Sequence, residues 1–140
     1  MTFVESIKTC FKKYTEFNGR ATRSEYWFFF LFSALVGFSL GVLDAAIFPN
    51  NTSGVLSLIF GIITFIPYIA VGCRRLHDIN RSGWWIALPY GLSFFAAILT
   101  AISETLLFLG LIAAGGSFIL LIVWLATEGQ KIKNRFGAKP

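Results

Sequence analysis

The chain has 140 residues, of which 56% are hydrophobic and 14% are charged, and its formal net charge is +5. Soluble domains carry roughly 25% charged residues. The composition therefore excludes an ordinary soluble protein and predicts a membrane protein.

The first 19 residues predict an amphipathic helix. Apolar residues recur there at three- and four-residue spacing, and most of the lysines fall on the other side. Such a helix either lies on the cytoplasmic membrane surface, with lysines towards anionic headgroups, or packs on the helix bundle. Asn18-Gly19 is expected to end it, and Thr22 and Glu25 fit a capping box that opens the next helix. Three glutamates within the first 25 residues argue against a cleavable signal peptide.

Four apolar stretches are long enough to cross a bilayer. A helix needs about 20 residues for this, whereas strands would leave backbone groups unpaired in lipid. The predicted spans are residues 26–48, 55–73, 84–103 and 105–127, followed by a tail at 128–140. The predicted fold is therefore a single all-α membrane domain, residues 1–140, whose four transmembrane helices form two hairpins.

The positive charge predicts the orientation of these spans. All 12 lysines and arginines lie before the first span, between the second and third, or after the fourth. Because cytoplasmic loops are enriched in Lys and Arg, both termini and the central connection are expected in the cytoplasm. The basic charge is thus a topology signal. Since no recognised nucleic-acid module accompanies it, nucleic acid is not an expected partner.

Asp44 is the acidic residue that falls inside a predicted span. It lies about 27 Å along the first helix, near the outer interface, where a hydrated carboxylate is expected. Proton-coupled transport would need a carboxylate nearer the middle, or an oligomer that supplies one. A small transporter or channel acting as an oligomer is the alternative function.

Metal, disulfide and catalytic chemistry are not expected. Cys10 and Cys73 fall on the cytoplasmic side, where structural disulfides are rare. A single His without a Cys pair at ligand spacing predicts no metal site. The sequence contains no nucleophile elbow, phosphate-binding glycine loop or pair of catalytic carboxylates. The chain is therefore predicted not to be an enzyme and to need no cofactor.

The segment RRLHDINRSGWW, residues 74–85, interrupts the apolar pattern. With the segment before the first span it brings five arginines to one interface layer: Arg20, Arg23, Arg74, Arg75 and Arg81. A structural polar cluster is expected around them, formed by Glu25, His77, Asp78, Trp27, Trp84 and Trp85. Ion pairs from Arg20 or Arg23 to Asp78, and from Arg75 or Arg81 to Glu25, would clamp one hairpin to the other.

These five arginines outnumber the nearby carboxylates of Glu25, Asp78 and Glu128. Spare guanidinium groups at the depth of lipid phosphates suit an anionic phospholipid headgroup or another phosphate ligand. Membrane lipids are therefore expected partners, and a homo-oligomer or a membrane protein partner remains open. His77 beside Asp78 is not expected to be catalytic, because neighbours on a helix point about 100° apart.

Three ordered motifs resemble a known family. NGRATRSEYW near the N-terminus, RRLHDINRSGWW in the middle and TEGQKIKNRFGAKP at the end are together similar to the bacterial family called domain of unknown function 805. The resemblance covers nearly the whole chain, with mild departures at Ile79-Asn80 and Ala138-Lys139. It implies a small protein of the bacterial inner membrane with four spans, and it implies no particular activity.

Overall fold

The computed structural model describes residues 1–48, 54–99, 103–138 and 140. Its helices are α1 (Phe3–Lys12), α2 (Arg23–Ile47), α3 (Val55–Asp78), a 3₁₀ helix (Gly83–Ala87) that runs into α4 (Leu88–Leu99), and α5 (Glu104–Ala126). An isolated bridge joins Asn134 to Gly137, and the described residues contain no β-strand. The predicted all-α class is confirmed.

Within the described residues, three helices are long and apolar enough to cross a membrane, namely α2, α3 and the Leu106–Ala126 part of α5. The helical segment in the third predicted span is shorter, because it ends at Leu99 and residues 100–102 lie outside the described part. Pro89 is the second residue of α4. In the first turn its missing N–H costs no helical hydrogen bond, so Pro89 helps to begin the α-helix.

The four helices α2 to α5 pack as two pairs, α2 with α3 and α4 with α5. In the second pair the backbones approach closely, since a Cβ placed on Gly110 would lie 2.6 Å from the Cβ of Ala96. The main buried core gathers where α2 begins and where α3 and α5 end, and it includes Phe29, Leu76 and Leu125. We call this end of the bundle the basic end. Elsewhere most apolar side chains are exposed, as expected of a surface that faces lipid.

Helix α1 packs against α2, which favours bundle packing over an isolated surface helix. Thr2 and Glu5 form a reciprocal capping box at its start. The ring of Phe11 meets that of Phe29 edge-on, with centroids 5.6 Å apart. The helix ends at Lys12, earlier than the predicted end at residues 18–19.

Tyr14, just beyond α1, compensates for a proline in α3. Pro67 has no N–H, so the carbonyl of Ile63 four residues earlier lacks its helical donor. The Tyr14 hydroxyl donates a hydrogen bond to that carbonyl at 2.7 Å. The turn after Lys12 therefore brings a side-chain donor to a gap in the backbone bonding of α3.

Asp44 joins α2 to α3 at the opposite end from the basic end. Its carboxylate is buried and accepts hydrogen bonds from the N–H groups of Leu56 and Ser57 and from the Ser57 hydroxyl, each at 2.9 Å. The first N–H groups of a helix lack helical partners, and the N-cap of α3, Gly54, has no side chain to offer. The expectation of a hydrated carboxylate is wrong, because Asp44 caps the neighbouring helix.

Candidate functional site

The predicted polar segment begins inside α3. The helix continues beyond residue 73, where the predicted span ends, to Asp78, so Arg74, Arg75 and His77 lie on its last turns. Arg74 and Arg75 are the largest side chains that the described structure buries completely. Burial of both guanidinium groups requires partners, because an unpaired buried charge is costly.

Asp78 is the acceptor at the centre of the basic end. Its Oδ1 lies 2.8 Å from Nε and 2.7 Å from Nη2 of Arg20, and its Oδ2 accepts from Nη1 of Arg75. A Cβ on Gly129 would overlap this carboxylate, so the tail backbone passes directly over it. The N–H of Gln130 also donates to the Asp78 carbonyl at 3.0 Å.

Glu25 pairs with Arg74, not with Arg75 or Arg81 as expected. Oε1 of Glu25 lies 2.7 Å from Nη1 of Arg74, and at most 4% of either side chain is exposed. The sequence prediction is wrong here because Arg75 already pairs with Asp78 three residues on, the spacing of helical neighbours. Thr22 caps α2 as predicted, but the Glu25 carboxylate turns to Arg74 and does not complete a capping box.

Arg74 has a second, less satisfied side. Its Nε and Nη2 have no hydrogen-bond partner among the described residues. The buried thiol of Cys10 is close to this guanidinium: burial and the Glu25 carboxylate raise the pKa of Cys10 to about 12, against the opposing influence of Arg74. Glu25 is therefore the one carboxylate that neutralises Arg74 in the described structure.

The predicted pair of Arg20 with Asp78 is confirmed, but the buried ion pairs do not join the two helix pairs as a clamp between hairpins would. They all lie within residues 20–78. Two acidic residues follow Asp78 in the sequence. Glu104 opens α5 at the far end, and Glu128 is exposed. Among the described residues, the second half of the chain therefore supplies no carboxylate to a buried pair at the basic end.

Hydrogen bonds to backbone carbonyls, not ion pairs, join α5 and the tail to the buried arginines. Nε of Arg75 donates to the carbonyl of Leu125 at 3.0 Å, and its Nη2 donates to that of Thr127. Nη1 of Arg20 donates to the carbonyl of Ile132 at 2.8 Å, and its Nη2 to that of Gln130. The last carbonyls of a helix lack donors and carry partial negative charge, and a guanidinium has five donors in a planar fork. Arg75 thus caps α5, and Arg20 holds the tail.

His77 also binds the ends of the chain together. Its Nδ1–H donates to the carbonyl of Gly19 at 3.1 Å, and its ring stacks on Phe136 with centroids 3.8 Å apart. The side-chain amide of Asn134 donates to the His77 carbonyl at 2.9 Å. These contacts indicate a structural role for His77. The adjacent Asp78 carboxylate is already paired with Arg20 and Arg75.

The predicted phosphate-binding arginines therefore divide into two sets. Arg20, Arg74 and Arg75 are buried, whereas Arg23 and Arg81 are exposed. The buried set is enclosed by protein, so only the exposed set of these five can meet a headgroup. The predicted tryptophans differ in environment as well: Trp84 and Trp85 are exposed, and Trp27 is half-buried beside Tyr26.

The sequence of the chain is similar to that of known proteins. A family described as "Protein of unknown function (DUF805)" matches residues 14–138. Inner membrane protein YhaH of Escherichia coli (strain K12) is 37% identical over 131 residues, which cover 92% of this chain and 90% of YhaH. Inner membrane protein YhaI of the same strain is 35% identical over 129 residues, covering 92% of this chain and 89% of YhaI. No solved structure matches the chain.

Proposed function

This chain belongs to the DUF805 family, and on that premise we propose a non-enzymatic inner-membrane module whose basic end faces the cytoplasm and contacts anionic lipid headgroups. The observation that carries the proposal is the division of its positive charge. Three arginines are buried in the polar cluster, whereas seven other cations are exposed, and we call these seven the rim: Lys8, Lys12, Arg23, Arg81, Lys131, Lys133 and Arg135. Each Lys or Arg near an anionic membrane surface contributes about 1 kcal/mol of attraction.

We assign four spans to the module, arranged as two hairpins, α2 with α3 and α4 with α5. The bond from Arg75 to Leu125 supports this, because it brings the ends of α3 and α5 to the same end of the bundle. The segment Gly83–Leu99 must then carry the chain back across. With about 2.0 Å per residue in its 3₁₀ part and about 1.5 Å in α4, it rises about 28 Å, close to the hydrocarbon thickness of about 30 Å.

We favour a binding module over a transporter. Asp44, the carboxylate that the sequence offered for transport, is occupied by the N-terminus of α3. The absence of enzymatic activity stays a prediction from the sequence. An oligomer, or a membrane protein partner bound to the lipid-facing helices, is compatible with the same basic end.

Reporter fusions test the proposed topology. Alkaline phosphatase fused after residue 53 or 103 is expected to be active, and green fluorescent protein fused after residue 140 is expected to fluoresce. These outcomes follow if both far-end connections are periplasmic and the tail is cytoplasmic. Phosphatase activity at residue 140 would contradict the orientation.

Lipid retention tests the proposed contact. The protein is reconstituted in nanodiscs that contain phosphatidylcholine and phosphatidylglycerol, and the lipids that stay bound after release are weighed by native mass spectrometry. Enrichment of phosphatidylglycerol is expected, and it should fall as salt screens the rim. Retention of the two lipids in their nanodisc proportions would reject lipid contact as the role of the basic end.

A further inference from the structure

Two exposed guanidinium groups lie at the short connection between α3 and the 3₁₀ helix, residues 79–82. Arg81 belongs to this connection, and its guanidinium carbon lies 3.9 Å from the ring centroid of Trp124. Arg135 comes from the tail, and its Nη2 donates to the carbonyl of Asn80 at 3.1 Å. The guanidinium carbon of Arg135 lies 4.6 Å from the ring centroid of Phe136. One cation therefore belongs to this connection, and the other is hydrogen-bonded to the residue beside it.

Neither cation is neutralised by a carboxylate in the described part of the chain, in contrast to Arg20, Arg74 and Arg75. Each is instead oriented by an aromatic face, which restrains the side chain without consuming its charge. A guanidinium held in this way keeps N–H donors that can bind two oxygens of one anionic group side by side. A phosphate group presents such a pair of oxygens.

The tryptophans beside Arg81 indicate where the phosphate comes from. The ring of Trp85 meets that of Trp124 edge-on at 5.4 Å, so Trp85, Trp124 and Arg81 form one contiguous surface. Trp84 is 84% exposed. Exposed indole rings are typical of the membrane–water interface, where lipid phosphates lie.

We propose that Arg81 and Arg135 form a phosphate-binding site on residues 79–82, and that its ligand is the phosphodiester of an anionic phospholipid. The proposal rests on the proposed function, because it names the rim residues that contact the headgroup. Free phosphate offers the same oxygens to the two guanidinium groups, and the exposed tryptophans favour the lipid. Arg23 and the rim lysines contribute only unspecific attraction.

A charge-matched pair of variants tests the site in nanodiscs that contain phosphatidylcholine and phosphatidylglycerol. Arg81→Gln/Arg135→Gln removes two positive charges from the site, and Lys131→Gln/Lys133→Gln removes two from the same rim. Retained phosphatidylglycerol is expected to fall about tenfold in the arginine variant. A tenfold fall corresponds to a loss of about 1.4 kcal/mol of binding free energy. The lysine variant loses the same charge but no guanidinium fork, so it should retain several times more phosphatidylglycerol than the arginine variant. Arg81→Lys/Arg135→Lys keeps the charge but loses the fork, and it should bind weakly as well.

Titration with inorganic phosphate, followed by tryptophan fluorescence in a zwitterionic detergent, distinguishes the two sources. Binding of inorganic phosphate without retained phosphatidylglycerol would support the two-arginine site and overturn its lipid ligand. Equal losses in the arginine and lysine variants would overturn the site while leaving lipid contact intact. If the unmodified protein retains neither phosphatidylglycerol nor phosphate, the proposed function fails together with the site.

Discussion

The buried pair of Glu25 and Arg74 gives a quantitative test of the basic end. Glu25→Gln keeps the size of the side chain and removes its charge, which leaves the Arg74 guanidinium buried without a counter-ion. Nε and Nη2 of Arg74 have no partner in the described structure that could compensate. Breaking a buried pair by removing one charge costs about 3 to 5 kcal/mol of stability. Unfolding by sodium dodecyl sulfate in mixed micelles, followed by tryptophan fluorescence, measures the loss.

An exposed ion pair within the same chain provides the control. Nζ of Lys13 lies 3.8 Å from Oε1 of Glu16, with 38% and 52% of the two side chains exposed. Lys13→Gln should therefore cost less than about 1 kcal/mol. Glu25→Gln/Arg74→Gln should lose less than the sum of its single variants, by about 1 to 3 kcal/mol. Unfolding of Glu25→Gln at the same detergent fraction as Lys13→Gln would refute the energetic role of the pair.

Three further changes probe other contacts. Tyr14→Phe leaves the Ile63 carbonyl without its donor and should lower stability by about 1 kcal/mol in the same detergent titration, and an unchanged midpoint would contradict that bond. Gly129→Ala would overlap the Asp78 carboxylate, so the tail should be cleaved faster in limited proteolysis; wild-type cleavage would mean that the tail does not lie there. Burial raises the pKa of Cys10 from 9.0 to about 12, so its stabilising contribution is complete below pH 9 and is lost as the pH rises towards 12. Cys10→Ser should therefore lose less stability than the unmodified protein between these pH values, and parallel losses would contradict a buried thiol.

Hydrophobic pattern and charge distribution predicted the helices because membrane spans are set by length and apolarity alone. The same pattern could not show that α3 continues to Asp78, since two charged residues normally mark an interface, whereas here Arg74 and Arg75 are buried inside the helix. The i, i+3 spacing of Arg75 and Asp78 was a local signal that could have assigned that pair. With Arg75 assigned to Asp78, Arg74 would have been available as the partner of Glu25.

The bonds that connect the tail could not be predicted from residue types. Arg20 and Arg75 donate to backbone carbonyls, and every residue carries such an acceptor. Which carbonyls are available depends on where α5 ends and how the tail folds back. The capping of α3 by Asp44 likewise depends on the approach of two helix ends in space.

Hydrogen exchange of the tail tests most directly whether Arg20 and Arg75 hold the second helix pair through backbone carbonyls. The protein is compared in nanodiscs with Arg20→Lys/Arg75→Lys, which keeps both charges but cannot bond several carbonyls at once. Arg23→Lys, a change at an exposed arginine, serves as the control. The amide of Gln130, which donates to Asp78, should exchange faster in the double variant and unchanged in the control. Wild-type protection of Gln130 in the double variant would contradict the role assigned to these two arginines.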